Sequence, residues 1–306
     1  MEAKKSVLIT GCSVGGIGDA LAQCFHRRKF RVFATARDLS KVEHLKEMGM
    51  DVLELDVIDT ESIKRAVKHV SAATGNTLNY LYFFQTLVVN GGEELGGMTA
   101  DNWVLAYGMP LLDVDIATAQ AMFDTNVFGV LRMTQDFAPL LIHSKGMIIN
   151  ISSVAAYVPS PFTGAYNATK AALTMMTNIL RYEMRPFDVK VVVVTTGAVA
   201  SNIFDNQPKA LLPSQSLYNK SKLKVEEVMK GGKVTPSFMP ASEYAERVVT
   251  NATSARPKLN FWAGGNVKRI RLVTKLLGQR GWDAFLPGPF GINEVEKNLE
   301  KSANKK

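Results

Sequence analysis

The sequence is poor in residues that cross-link a chain or hold a metal. Its 306 residues include two cysteines and four histidines. Cys12 and Cys24 are too few for a disulfide framework and point to a reducing, cytoplasmic compartment. His26, His44, His69 and His143 are scattered without ligand spacing, so no metal is expected. No apolar run approaches the roughly 20 residues that span a bilayer. The first apolar run starts a few residues after Met1 and leaves no room for the core of a secretory signal. The Asn-x-Ser/Thr sites at Asn150, Asn167, Asn219 and Asn251 are accordingly expected to stay unglycosylated. Internal repeats and low-complexity tracts are also missing, which excludes a repeat architecture.

What is present suits one large domain. An apolar content of 46% is enough for a sizeable core. Strand-like runs near 6–10, 31–36, 52–56, 78–90, 147–152, 189–195 and 258–262 alternate with helical stretches at 16–28, 60–73, 116–143, 165–184 and 241–252. That alternation predicts right-handed βαβ crossovers. The expected fold is α/β, a Rossmann-type doubly wound and mainly parallel seven-stranded sheet with helices on both faces. Residues 1–262 form the catalytic domain and 263–306 a basic amphipathic extension. The net charge of +8 and pI near 9.3 admit anionic partners. The basic residues are dispersed and no aromatic-basic motif reads bases, so nucleic acid is not expected. An anionic cofactor, a phosphorylated substrate or an anionic membrane explains the excess better. The stretch 267–286 interleaves cations with apolar residues. Two readings stand for it, a lipid-interface segment and a helix packed on the sheet with its charges in water.

The chemistry is carried by Tyr166-Asn-Ala-Thr-Lys170, by Ser153 upstream and by TGCSVGGIG near the start. A phenol near pKa 10 exchanges protons poorly at neutral pH. Residues four apart share a helix face, so Lys170 is expected beside Tyr166 and to favour the phenolate. Ser153 ends the apolar strand GMIINISS and is placed to bond a substrate carbonyl oxygen; Ser152 is the lesser candidate. The glycine turn lies between a strand and a helix start, an arrangement that binds a pyrophosphate on bare backbone N–H groups. Arg37 ends the next strand, RVFATARD. A guanidinium there suits a 2′-phosphate, which selects NADP(H).

These features resemble the short-chain dehydrogenase/reductase superfamily, above all its fungal branch of NADPH-dependent 1-acyldihydroxyacetone-phosphate reductases. The shared segments TGCSVGGIG, ATAR, LELDV, MPLLDVDI, MFDTNVFGVLR, INISSVAAYVPSPFTGAYNATKAAL and VVVVTTGAVASN run from residue 6 to about 260. The resemblance implies a Ser153/Tyr166/Lys170 catalytic set with Asn126 in a proton relay. It also implies cofactor contacts from Gly11, Ser13, Gly16, Ile17, Gly18, Arg37, Asp56, Val57, Asn90, Arg132, Tyr166, Lys170, Val199 and Ser201. Family members commonly pair through their long central helices, which makes a homo-oligomer the expectation.

Two departures stand out. The extra Gly15 gives TGxxxxGxG where many members have TGxxxGxG. The NNAG loop survives only as Val89-Asn90-Gly91-Gly92, inside a stretch of about 82–106 that is long for a loop. It is a genuine insertion over the cofactor, an alternative fourth strand with a displaced loop, or translated intron sequence. Residues 201–239 follow the sixth strand and are expected to form a substrate lid. Leu211, Leu212, Leu217 and Tyr218 would be its apolar wall, with Lys209, Lys220, Lys222 and Lys224 toward an anionic head group or solvent.

The resulting expectation is an NADP(H)-dependent oxidoreductase that reduces a ketone to a secondary alcohol. Its substrate is a lipid such as acyl-dihydroxyacetone phosphate, or a terpenoid, steroid or polyketide of specialised metabolism. The altered NNAG segment keeps a third reading open, a catalytically silent nucleotide-binding protein. Placement is cytoplasmic, with peripheral contact at the endoplasmic reticulum or lipid droplets through the extension.

Overall fold

The computed structural model describes residues 4–83, 108–201, 211–230 and 237–303, with side chains through 301. The expected strand at 78–90 is described only to Phe83. Asn90, the rest of the 82–106 stretch and Lys209 lie outside the described residues.

Seven strands make one parallel sheet: β1 (Ser6–Ile9), β2 (Arg31–Ala36), β3 (Asp51–Glu54), β4 (Tyr80–Phe83), β5 (Met147–Ser153), β6 (Lys190–Thr196) and, after two short strands, β9 (Asn260–Ala263). Their order is β3-β2-β1-β4-β5-β6-β9. Beyond β6, the two-residue strands β7 (Val199–Ala200) and β8 (Met239–Pro240) pair with each other. The helices in chain order are α1 (Ile17–Arg27), α2 (Glu43–Glu47), α3 (Thr60–Thr74), α4 (Ile116–Phe123), α5 (Val130–His143), α6 (Gly164–Glu183), α7 (Lys222–Met229), α8 (Ala241–Thr253), α9 (Val267–Leu276), α10 (Gly278–Phe285) and α11 (Ile292–Ala303).

The period-two pattern of the strands builds two cores. Val7 and Ile9 of β1 join α1 and α8 on one face, with Leu21, Phe25, Val248 and Val249. Leu8, between them, points the other way to α3, α5 and α6 through Ile63, Val70, Phe137 and Leu173. Both faces of each central strand are thereby buried, as in Val191–Val194 of β6, each at most 1% exposed. The connections change direction between β1 and β4; in open α/β sheets ligands bind at the carboxyl ends of the strands beside such a switch.

The stretch read as one helix over 116–143 is interrupted. A π-helical turn, Asp124–Gly129, separates α4 from α5. One wider turn leaves the hydrophobic period nearly unchanged, which is why the sequence pattern ran through it.

The tail is the other difference. A third core lies outside the sheet, where Met109, Met122 and Phe162 meet Leu212, Val225 of α7 and, from α11, Val295. Asn298 of α11 donates to Ser221 Oγ at 3.0 Å. Helix α11 is thus packed onto the segment that contains Leu212, Ser221 and Val225.

Candidate active site

Ser153 is the last residue of β5, with extended backbone at φ −142°. Its Oγ accepts the Ala155 N–H at 3.1 Å. That leaves the hydroxyl proton for donation, and Ser153 is hydrogen-bonded to the Tyr166 phenol. Tyr166 lies in the first turn of α6, half-buried, with one flank on the third core. One turn on, Lys170 is 4% exposed. Its Nζ is 5.8 Å from the Tyr166 ring centroid and donates to the Ile151 carbonyl at 3.2 Å.

The i,i+4 spacing therefore brings the two groups together, but the expected acidic phenol is corrected. Burial pushes Tyr166 above its ordinary value and the Ser153 hydrogen bond only partly opposes it. Burial lowers Lys170 to about 8. The surroundings disfavour charge on both groups, and the lysine's hydrogen bond goes to a backbone carbonyl rather than to the phenol oxygen. Burial therefore keeps the Tyr166 phenol protonated at neutral pH.

Asn126 sits in the π-helical turn, 1% exposed. Its Nδ2 donates to Thr169 Oγ1 at 3.1 Å, and its Oδ1 is buried without a hydrogen-bond partner. Ser152 is fastened away from the crevice. Its hydroxyl donates to the Lys170 carbonyl at 3.3 Å and shares a 2.6 Å bond with Thr174 Oγ1.

At the other side of the switch, Gly11 holds φ +69°, which a residue with a Cβ rarely adopts. Gly16 is the N-cap of α1, followed by Ile17 at 2% exposure. A Cβ on Gly18 would stand 2.3 Å from the Gly11 carbonyl oxygen, so α1 and the turn close together only without one. Asp19 was not singled out from the sequence. Its Oδ2 accepts the Gly15 N–H at 2.9 Å, while Oδ1 meets Gln23 at 2.7 Å and His44 at 3.0 Å. The carboxylate thus pins the residue that lengthens the motif. The signal was its position three residues after an N-cap glycine.

Ser13 lies half-exposed on the turn, and Arg37 half-exposed at the end of β2. Burial lowers the Arg37 pKa and neighbouring Asp56 raises it. Val57 is buried against the start of α5 near Gly129. Arg132 binds Asp124 at 3.3 Å, and its Nη1 is buried without a partner. Val199, 4% exposed, is held by the β7–β8 pairing. The Ser201 hydroxyl is buried and lacks a hydrogen-bond partner. A cradle that closes only without a Cβ, a free helix N-terminus, a half-buried guanidinium and an orphaned hydroxyl all fit a phosphate-bearing dinucleotide.

Two further residues escaped the sequence reading. Phe162, just before α6, holds φ +66°, a strained conformation for a bulky residue. Its ring meets Tyr218 edge-on at 5.6 Å and ties the segment before α7 to the loop before α6. Tyr157, after Ser153, stacks on Trp262 at 5.1 Å. Of the leucines expected to line a lid, Leu212 is buried, whereas Leu211 and Leu217 are exposed. Lys224 pairs with Glu227 at 3.1 Å and Lys222 approaches Glu226 at 3.8 Å.

Residues 5–211 match the family model for short chain dehydrogenase. The chain is 37% identical over 302 residues to a short-chain dehydrogenase/reductase of Pestalotiopsis microspora, covering 98% of each. It is 39% identical over 222 residues to the NADPH-dependent 1-acyldihydroxyacetone phosphate reductase of Schizosaccharomyces pombe, covering 71% of this chain and 69% of that one. The crystal structure of a short-chain dehydrogenase from Streptomyces avermitilis superposes with a TM-score of 0.73 at 21% identity, each chain covered completely, which establishes the likeness of fold. With its sheet order, its glycine turn and its Ser153–Tyr166–Lys170 cluster, this chain belongs to the short-chain dehydrogenase/reductase family.

Proposed function

We propose that the protein is an NADPH-dependent reductase that converts a ketone with an apolar or amphiphilic body to a secondary alcohol. The observation that carries the reading is a protonated phenol hydrogen-bonded to Ser153 and backed by buried Lys170, at the same end of the sheet as the glycine cradle.

NADPH, when bound, supplies the hydride. Its diphosphate would lie on Gly11, Ser13, Gly16, Ile17 and Gly18, with Ser201 offering a hydroxyl. Arg37 would pair with the 2′-phosphate, Asp56 and Val57 would border the adenine, and Val199 would contact the nicotinamide amide. For Arg132 the bond to Asp124 favours a supporting role. Ser153 donates a hydrogen bond to the ketone oxygen and fixes the carbonyl against the phenol. Tyr166 gives its proton to the alkoxide as charge develops, and a phenol kept protonated by burial suits that direction. Lys170 holds the cofactor ribose and returns a proton to the phenol, with Asn126 supporting the exchange. An alkoxide is far more basic than a phenolate, so the transfer needs no acidic tyrosine.

The substrate reading rests on the third core. Met109, Met122 and Phe162, each at most 7% exposed, form an apolar core that packs against Tyr166 and gives that side of the site an apolar character. The lid lysines argue less strongly for an anionic head group, since Lys222 and Lys224 already face Glu226 and Glu227. Acyl-dihydroxyacetone phosphate, the substrate named for the Schizosaccharomyces relative, remains the first ketone to try.

The test is NADPH consumption on a panel of phosphorylated and neutral ketones with graded chain length. Turnover rising with chain length is expected. NADPH bound tightly but never consumed would replace this reading with a nucleotide-binding protein.

A further inference from the structure

Helix α9, VKRIRLVTKL, contains no acidic residue and contributes nothing to the catalytic cluster. One arc faces the protein through buried Val267 and half-buried Ile270, Val273 and Thr274. The opposite arc carries Lys268, Arg269, Arg271, Leu272, Lys275 and Leu276, all exposed. Leu272 and Leu276 are 58% and 68% exposed, and the adjoining Leu277 and Phe285 stand open at 53% and 52%. Single exposed leucines are ordinary. Four large apolar side chains accompany the four α9 cations, while α10 adds Arg280 and one exposed acidic residue, Asp283, which accepts from Gln279 at 3.2 Å.

The charge decides what covers it. A second copy related by a twofold axis would press this cationic face against itself. A nucleic acid would use the cations and leave the leucines and phenylalanine in water. An anionic bilayer uses both, because the apolar side chains enter the acyl boundary while lysine and arginine reach the headgroup phosphates. We infer that α9 and α10 form a peripheral docking surface for an anionic phospholipid bilayer.

The surface has a fixed relation to the active site. β9 ends at Ala263 and α9 begins at Val267, at the carboxyl end of the sheet that also carries Ser153. Arg271 lies over the Trp262 ring at 5.9 Å, and Trp262 in turn stacks on Tyr157. Docking through α9 turns the catalytic end toward the lipid. The inference does not depend on which ketone is reduced.

The test is flotation of the full chain with vesicles of phosphatidylcholine alone or mixed with phosphatidylserine. Binding should require phosphatidylserine and fall with added salt. Leu272→Ser with Leu276→Ser should abolish it. Neutralising Lys268→Gln and Lys275→Gln should weaken it about fivefold for each charge. Both variants should keep wild-type thermal midpoints and turnover on a water-soluble ketone. Equal binding to neutral vesicles, binding to neither, or binding unchanged in the variants would overturn the inference. Vesicle binding by a chain that reduces no ketone would leave docking intact and sink the catalytic reading alone.

Discussion

Lys170→Met should make the protein more stable at neutral pH, and the gain should vanish in alkali. The wild-type ammonium is 4% exposed, its Nζ donates to the Ile151 carbonyl, and burial lowers its pKa from 10.5 to about 8. Below about pH 8 both folded and unfolded chains carry the charge, so the fold bears the full penalty of burying it. The gap between the two pKa values, at 1.36 kcal/mol per pH unit, amounts to about 3 kcal/mol. Methionine loses the hydrogen bond to Ile151, about 1 kcal/mol, so the variant should be about 2 kcal/mol more stable at pH 7. Between about pH 8 and 10.5 the unfolded wild-type chain holds a proton that the folded one has lost. Wild-type stability therefore rises across this window and the advantage of the variant closes. Cys12 and Cys24 act in the opposite sense at alkaline pH, because burial raises both thiols, Cys24 to about 11. Subtracting the variant's urea-unfolding curve from the wild type's at each pH cancels them. A difference that stays flat from pH 7 to 10.5 would return Lys170 to an ordinary pKa and remove the buried-charge penalty.

Gly18→Ala should lower the thermal midpoint by the equivalent of about 1–3 kcal/mol and weaken NADPH binding, since its Cβ would meet the Gly11 carbonyl at 2.3 Å. Arg37→Gln should raise KM for NADPH about tenfold to a hundredfold and leave KM for NADH unchanged, as expected for loss of a charge-assisted phosphate contact. Asp19→Ala should raise KM for NADPH with little change in kcat, because it frees the Gly15 N–H. Asp19→Asn, which keeps an acceptor, should restore part of the affinity.

The sheet was legible because both faces of its strands are buried. Runs such as Val191–Val194 can only be interior strands, and helical periods between them leave few topologies. The proximity of Tyr166 and Lys170 was legible for the same geometric reason, four residues on one helix face. The direction of the phenol's pKa was not. It depends on how much low-polarity surface closes over α6, and spacing carries no information about that. The π-helical turn at Asn126 was invisible because one widened turn hardly disturbs the apolar rhythm of 116–143. The docking of α11 had a local trace in Ile292, Val295 and Leu299 on one helical face. Its destination, the segment before and within α7, is set by tertiary contacts such as Asn298 to Ser221. Asp19 lay in plain view, yet its role exists only because the turn folds back on it.

In the proposed reaction the Tyr166 phenol gives up the proton on which ketone reduction depends. Replacing Tyr166 with Phe removes one oxygen while keeping the ring on its apolar flank. Paired measurements of NADPH fluorescence titration and ketone turnover should show near-normal cofactor affinity with turnover reduced at least about a hundredfold. Turnover close to wild type in that variant would contradict the account.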